Sequence, residues 1–405
     1  MNSFNLRKAA IVSAVRTPIG RYGGGLSTVR PDDLAALVIE KAVDKSRIDK
    51  LSIDDVYFGA TNQAGEDNRN VARMASLLAG LPVTVPGATV NRLCASGLES
   101  LIIAARMIET NCADVIVAGG VESMSRAPFV MPKSKTSFDR HAEIYDTTIG
   151  WRFINPKMAE MYSPIGMGQT AENVARKWNI TREDQDSFAY ESQQKWKQAL
   201  DGGKWNDEII QVCVPQRHGE SIIVDTDEHP RPETSLEKLS TLKPAFSKED
   251  GASVTAGNSS GINDGAAAIV LVELEQAREL GLNILGVIGA SATAGVEPDL
   301  MGIGPVKSSE KLFAKTGVTA EDIDIVELNE AFAAQAIACI RELNLDPSKV
   351  NPNGGAIAMG HPLGCTGARI VVTLVHEMNR TNTKLGMASL CVGIGQGVSM
   401  FVERE

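Results

Sequence analysis

The chain has 405 residues, 43% of them hydrophobic and 22% charged, with a formal net charge of −10. That length exceeds what one hydrophobic core usually serves, so two or three lobes are expected. The acidic balance argues against nucleic acid or an anionic membrane as partner, while local basic residues could still hold a phosphorylated ligand.

No run reaches the apolar length of a membrane span, and the first residues lack the continuous apolar region of a signal peptide. The six cysteines, at positions 94, 112, 213, 339, 365 and 391, form no Cys-x-x-Cys pair, and the histidines do not cluster. Neither a metal site nor a disulfide framework is expected, and a reducing cytoplasm fits.

In chain order, residues 8–15 read as a strand, 31–44 as an amphipathic helix, 55–60 as a strand, 68–78 as a helix and 87–90 as a short strand. An apolar-periodic helix over 98–108 and a strand over 114–118, ending in Gly119-Gly120, continue the alternation. Such alternation predicts a layered α/β arrangement. Between about 121 and 250 the character changes. Met, Pro, Trp, Tyr and charges appear without strand alternation, and helices at 170–178 and 182–200 stand out. This predicts a large insertion, of the kind that carries ligand contacts or serves as a cap or oligomer contact. After Gly265 the pattern resumes, with strands at 266–273 and 284–294 and a helix at 307–316. A strand at 324–328, helices at 330–343 and 364–378, and strands at 385–391 and 398–403 complete it.

The second half echoes the first. Ile53-Asp54-Asp55-Val56 resembles Ile323-Asp324-Ile325-Val326. Nearly equal intervals lead from those aspartates to Cys94-Ala-Ser-Gly and Cys365-Thr-Gly, and onward to Gly119 and Gly393. Two copies of one α/β unit, packed face to face, are expected.

Cys94 stands where a short strand turns into a helix, among the small residues Ala95, Ser96 and Gly97. The unpaired N–H groups of a helix N-terminus favour a thiolate there, although a lone cysteine is more often inert core. Asn329, in Leu-Asn-Glu-Ala-Phe, sits at a second strand-to-helix junction, where it could be only a cap. A glycine-rich loop from Asn353 to Gly364 carries His361, and Cys391 closes a strand before further glycines. If the two units bring these strand ends together, the residue types suit covalent acyl chemistry. A thiolate attacks, an imidazole takes its proton, a second thiol moves another, and N–H donors hold the oxyanion. Neither a Walker-type loop nor a complete G-x-G-x-x-G occurs.

Val-Asn-Arg-Leu-Cys-Ala-Ser-Gly, Asn-Glu-Ala-Phe-Ala-Ala-Gln, Gly-His-Pro-Leu-Gly-Cys-Thr-Gly-Ala-Arg and Cys-Val-Gly-Ile-Gly-Gln-Gly follow one another along the chain. Together with Ser-Ala-Val-Arg-Thr-Pro from Ser13 and Thr-Ala-Gly-Asn-Ser-Ser-Gly from Thr255, they resemble the thiolase family from end to end. The resemblance implies a thiolase-like fold, with halves at 1–120 plus 250–272 and at 273–405, and residues 121–249 as a CoA-binding loop domain. It implies Cys94 as the acylated nucleophile, His361 as its activator and Cys391 as acid and base. Asn329, through a water, joins His361 in one oxyanion hole, and the N–H groups of Cys94 and Gly393 form the other. Arg231, Phe246, Ala256, Ser260, Met167, Met301, Ala331 and Phe332 are the implied CoA contacts. No prosthetic group or metal is implied. CoA is a co-substrate, and a cytoplasmic homodimer or homotetramer is expected.

The implied reaction is thiolysis of a 3-ketoacyl-CoA to acetyl-CoA and a shortened acyl-CoA, as in fatty-acid β-oxidation. Gly166-Met167-Gly168 lacks the His that precedes this Met-Gly in many acetoacetyl-CoA-specific members. The run from Asp146 to Pro156 is similar to degradative members, including those acting on 3-oxoadipyl-CoA. The alternatives are a biosynthetic acetoacetyl-CoA thiolase and, from another class, a non-catalytic lipid carrier of the same fold. Decarboxylating condensing enzymes are disfavoured, because their pattern has two active-site histidines.

Overall fold

The computed structural model describes residues 7–405. Its first half contributes β1 (Ala9–Arg16), α1 (Pro31–Ser46), β2 (Asp55–Gly59), α2 (Val71–Leu78), β3 (Ala88–Val90), α3 (Ser96–Glu109) and β4 (Val115–Ser123). The chain then leaves the sheet. Its excursion carries α4 (Met167–Lys177) and α5 (Arg182–Asp201), and it returns as β5 (Asn263–Glu273). The remainder is β6 (Gly286–Gly295), α6 (Gly304–Thr316), β7 (Ile325–Leu328), α7 (Ala333–Glu342), α8 (Leu363–Thr381), β8 (Leu385–Val392) and β9 (Gln396–Glu403).

One mixed sheet runs in the order β7-β8-β9-β6-β1-β5-β4-β2-β3. Each half has the same pattern. A parallel pair (β2 with β4, or β7 with β8) continues through antiparallel neighbours to β1 or β6. The halves join at Ala10–Val287 and Ile11–Gly286, an edge pairing that the repeat in the sequence did not predict.

Asp54 Oδ2 accepts the N–H groups of Asp114 and Val115, and Asp324 Oδ2 accepts those of Lys384 and Leu385. Each aspartate thus ties the start of one strand of its parallel pair to the start of the other. The same offset in sequence relates Asp54 to Asp324, Val115 to Leu385 and Gly97 to Gly367. It matches Cys94 with Gly364, so the spacing of the two cysteines is out of step by one residue.

The α3 and α8 helices lie between the two halves of the sheet. Leu98, Leu101 and Ile108 share one buried cluster with Ile370, Val371 and Leu374, and with strand residues from both halves. Every residue of α8 from Gly364 to Met378 is buried, as a helix with sheet on both sides requires. The α1 and α2 helices cover the outer face of the first half, and α6 and α7 that of the second. The result is five layers. A Cβ on Gly97 would stand 2.7 Å from the Ala368 nitrogen, and one on Gly367 only 2.2 Å from that of Leu98. Glycine at both positions lets the two helices meet backbone to backbone. That contact sets the N-termini of α3 and α8 side by side.

Two helices start later than expected. The 68–78 segment becomes helical only at Val71, after Asn68 and Arg69 take left-handed backbone. The 330–343 segment becomes helical only at Ala333. Ser260 N–H donates to the Ala331 carbonyl, and Ser259 bridges Phe332. The Glu330 carboxylate is held by Ser192, Asn351 and the Ile357 N–H. These ties keep residues 330–332 out of the helix, with Phe332 extended.

Candidate active site

Cys94 lies two residues before α3, and His361 two residues before α8. The turn ahead of Cys94 is tightly held. Leu93 has a left-handed backbone (φ +46°), and its N–H donates to Asn91 Oδ1 at 2.9 Å. Ser96 Oγ accepts the Arg92 N–H and donates to the Leu93 carbonyl. The backbone N–H groups of Gly393 and of Cys94 itself face the Cys94 sulfur and favour its ionised form. A Cβ on Gly393 would come within 3.2 Å of Leu93 and 3.7 Å of Met167. Glycine there lets the loop after β8 close on the sulfur.

The helix N-terminus does not leave Cys94 as a thiolate. Burial pushes the thiol up to about 11, and the two N–H groups only partly oppose it. Burial also raises Cys391 well above the ordinary thiol value, helped by the nearby Cys94. Desolvation and the positive field of Arg369 bring His361 down to about 3. The resting site is a pair of neutral thiols beside a neutral imidazole, so a thiolate here forms only by proton transfer.

The imidazole is oriented by its neighbours. Nδ1 lies 2.7 Å from Thr366 Oγ1, which donates its own hydrogen to the Pro362 carbonyl at 2.8 Å. Nδ1 therefore carries the hydrogen, and Nε2, 3.4 Å from Asn329 Nδ2, keeps its lone pair. The His361 N–H donates to Asn263 Oδ1, and Glu122 accepts the Gly364 N–H at 2.8 Å together with the backbone of Thr61 and Asn62. Asn329 Oδ1 is buried without a protein partner.

A cavity of about 1000 Å³ brings the sequence-predicted residues together. Cys94, His361 and Cys391 line it, as do Met167, Arg231, Phe246, Ala256, Ser260, Met301, Ala331 and Phe332. Asn329 and Gly393 do not line it, but they touch His361 and Cys94. Phe246 and Phe332 meet edge to face with centroids 5.9 Å apart. Such a site, with aromatic rings, backbone donors and cations at Arg231 and Lys238, fits a long thioester with a phosphorylated end.

Sequence reasoning missed three residues. His229 lines the cavity, its ring against Gly261, and desolvation lowers it to about 4. Its signal was its place two residues before Arg231. Thr366 stood inside a quoted motif with no role attached, and Glu122 sat just past Gly119-Gly120. Among the described residues no helix is long and apolar enough to cross a membrane, and no group of His, Cys, Asp and Glu could hold a metal.

Residues 9–275 match the thiolase N-terminal domain and residues 282–404 the thiolase C-terminal domain. The chain is 52% identical over 402 residues to the beta-ketoadipyl-CoA thiolase of Acinetobacter baylyi, covering 98% of this chain and 100% of that protein. It is 53% identical, at the same coverage, to the 3-oxoadipyl-CoA/3-oxo-5,6-dehydrosuberyl-CoA thiolase of Escherichia coli. Human mitochondrial 3-ketoacyl-CoA thiolase, solved in complex with CoA, superposes with a TM-score of 0.91 at 38% identity, covering 98% of each chain.

Proposed function

The chain belongs to the thiolase family, and from that premise we propose that it cleaves an oxo-dicarboxylyl thioester such as 3-oxoadipyl-CoA. It is an acyltransferase with CoA as co-substrate. The substrate reading rests on the two bacterial relatives, whose names carry the ketoadipyl or oxoadipyl group, and it replaces fatty-acid β-oxidation as the expected role. The catalytic reading rests on one observation: Cys94, His361 and Cys391 share the wall of a single cavity.

In this reading His361 Nε2 takes the proton of Cys94, and the sulfur attacks the 3-keto carbonyl. The bond between C2 and C3 breaks, its electrons form the enolate of acetyl-CoA, and the Cys391 thiol protonates C2. CoA then gives its proton to Cys391 and attacks the acyl group on Cys94, whose sulfur recovers its proton from His361. The N–H groups of Cys94 and Gly393 hold the oxyanion at the attacked carbonyl. His361 and a water on Asn329 Oδ1 face the enolate oxygen. Fixed donors of this kind are typically worth about 3 kcal/mol each, because they need no reorganisation during the reaction.

Residues 121–249 serve as the CoA-binding loop domain between halves at 1–120 plus 250–272 and 273–405. Phe129, Met131, Phe138, Ile144 and Phe153 are exposed within that segment, a face that a second copy of the chain would cover in a homodimer or homotetramer. Six free cysteines suit a reducing cytoplasm.

The test is kcat/KM for 3-oxoadipyl-CoA, 3-oxohexanoyl-CoA and acetoacetyl-CoA with saturating CoA. The dicarboxylic thioester is expected to lead. A preference for acetoacetyl-CoA would overturn the substrate reading and leave the catalytic roles standing.

A further inference from the structure

A thioester that ends in a carboxylate needs two things past its reacting carbonyl: an apolar wall for the methylenes and a cation at the tail. The residues lining the cavity fall into two groups. Arg231 and Lys238 accompany Leu242 and Phe246, a set suited to the phosphates and adenine of CoA. In the second group, Met124 and Leu363 adjoin His361, and Ile149 and Gly150 line the same cavity. Leu363 follows His361 by two residues. Met124 sulfur accepts the N–H of Asn263, whose side chain accepts the His361 N–H, and Thr148 Oγ1 donates to the Met124 carbonyl. This second group suits methylenes but contains no cation.

Arg152 lies two residues past Gly150. Its Cα is therefore within about 7 Å of that lining residue, a span that an extended arginine side chain can match. The intervening Trp151 anchors the segment, its indole N–H donating to the Ile165 carbonyl at 3.0 Å, one residue from the cavity-lining Gly166. Gly150 turns the chain there with φ +87°. Arg152 is partly buried, yet among the described residues it makes neither a hydrogen bond nor an ion pair, and no other partly buried arginine is left so. The alternative cation, Arg126, is already neutralised by Glu66. A guanidinium without a counter-charge is free to take an anion, and a carboxylate is the partner its planar fork matches best.

We infer that Arg152 is the specificity residue that receives the terminal carboxylate of the acyl tail. The inference rests on the substrate reading above. It makes Arg152 irrelevant to the reacting atoms, so uncharged substrates and the first acyl transfer do not depend on it.

The test compares wild type with Arg152→Gln on 3-oxoadipyl-CoA and on the uncharged 3-oxohexanoyl-CoA. The expected result is a fall in kcat/KM of at least about 30-fold on the first, mostly through KM, with less than about threefold change on the second. Arg152→Lys should recover part of the loss, since it restores charge without the planar fork. Acetyl transfer from acetyl-CoA to Cys94, read by mass, should be unchanged and shows that the variant is folded. Equal losses on both substrates, or none on either, would overturn the role of Arg152. A wild type that does not favour 3-oxoadipyl-CoA takes down the substrate reading itself. A wild type that favours it, with Arg152→Gln favouring it equally, removes only this inference.

Discussion

Thr366 Oγ1 holds His361 Nδ1 at 2.7 Å while giving its own hydrogen to the Pro362 carbonyl. That single hydroxyl decides which imidazole nitrogen is free to take a proton, because an oxygen already donating can only accept from Nδ1. Thr366→Val, nearly the same shape without the hydroxyl, frees the ring to take the other tautomer. Its kcat is expected to fall about 10- to 100-fold, within the range that general base catalysis contributes. Thr366→Ser should retain most activity. An unchanged rate for Thr366→Val would mean that something else orients the ring.

The two cysteines of the cavity should separate cleanly. After mixing with acetyl-CoA, wild type is expected to carry an acetyl mass on the peptide containing Cys94, and Cys94→Ala none. Cys391→Ala should still be acylated at Cys94 while carbon–carbon cleavage drops by about 10²- to 10⁴-fold. An adduct on Cys391 or Cys365 would reverse the assignment.

The neutral resting state has a pH signature. A thiol whose pKa is raised to about 11 ionises only as pH climbs towards that value. Without substrate, the rate of Cys94 alkylation by iodoacetamide should therefore rise about tenfold per pH unit from pH 7 to pH 9, with no plateau. His361, already neutral because its proton affinity is lowered to about 3, should add no inflection between pH 5 and 8. A plateau near pH 7 would indicate a thiolate–imidazolium pair instead.

Asp54 and Asp324 make the same clamp in the two halves, each accepting two successive backbone N–H groups. Replacing either by Ala leaves those donors to water and is expected to cost about 1–2 kcal/mol. Asp→Asn at the same position, which keeps one acceptor oxygen, should restore much of the loss. Thermal melting of the four variants checks this, and equal effects in the two halves would bear out their equivalence.

Much of the outline was legible in the residues themselves. Strand and helix periods are local, so the alternation of elements could be read directly, and the echo of Asp54 in Asp324 marked the two units. The chemical types at Cys94, Asn329, His361 and Cys391 suited acyl transfer, and the resemblance of the motifs around them to the thiolase family made that reading specific. What a linear pattern cannot carry is who stands beside whom. Only packing shows that Gly97 and Gly367 let α3 and α8 touch, which brings Cys94 and His361 from distant parts of the chain to one cavity. Only burial shows that desolvation outweighs the helix N-terminus at Cys94, reversing the expected thiolate. The same holds for residues 330–332, kept out of the helix by Ser260 and Glu330 contacts that no helical propensity could reveal, and for His229, whose place against Gly261 depends on a fold of the excursion that its sequence does not announce.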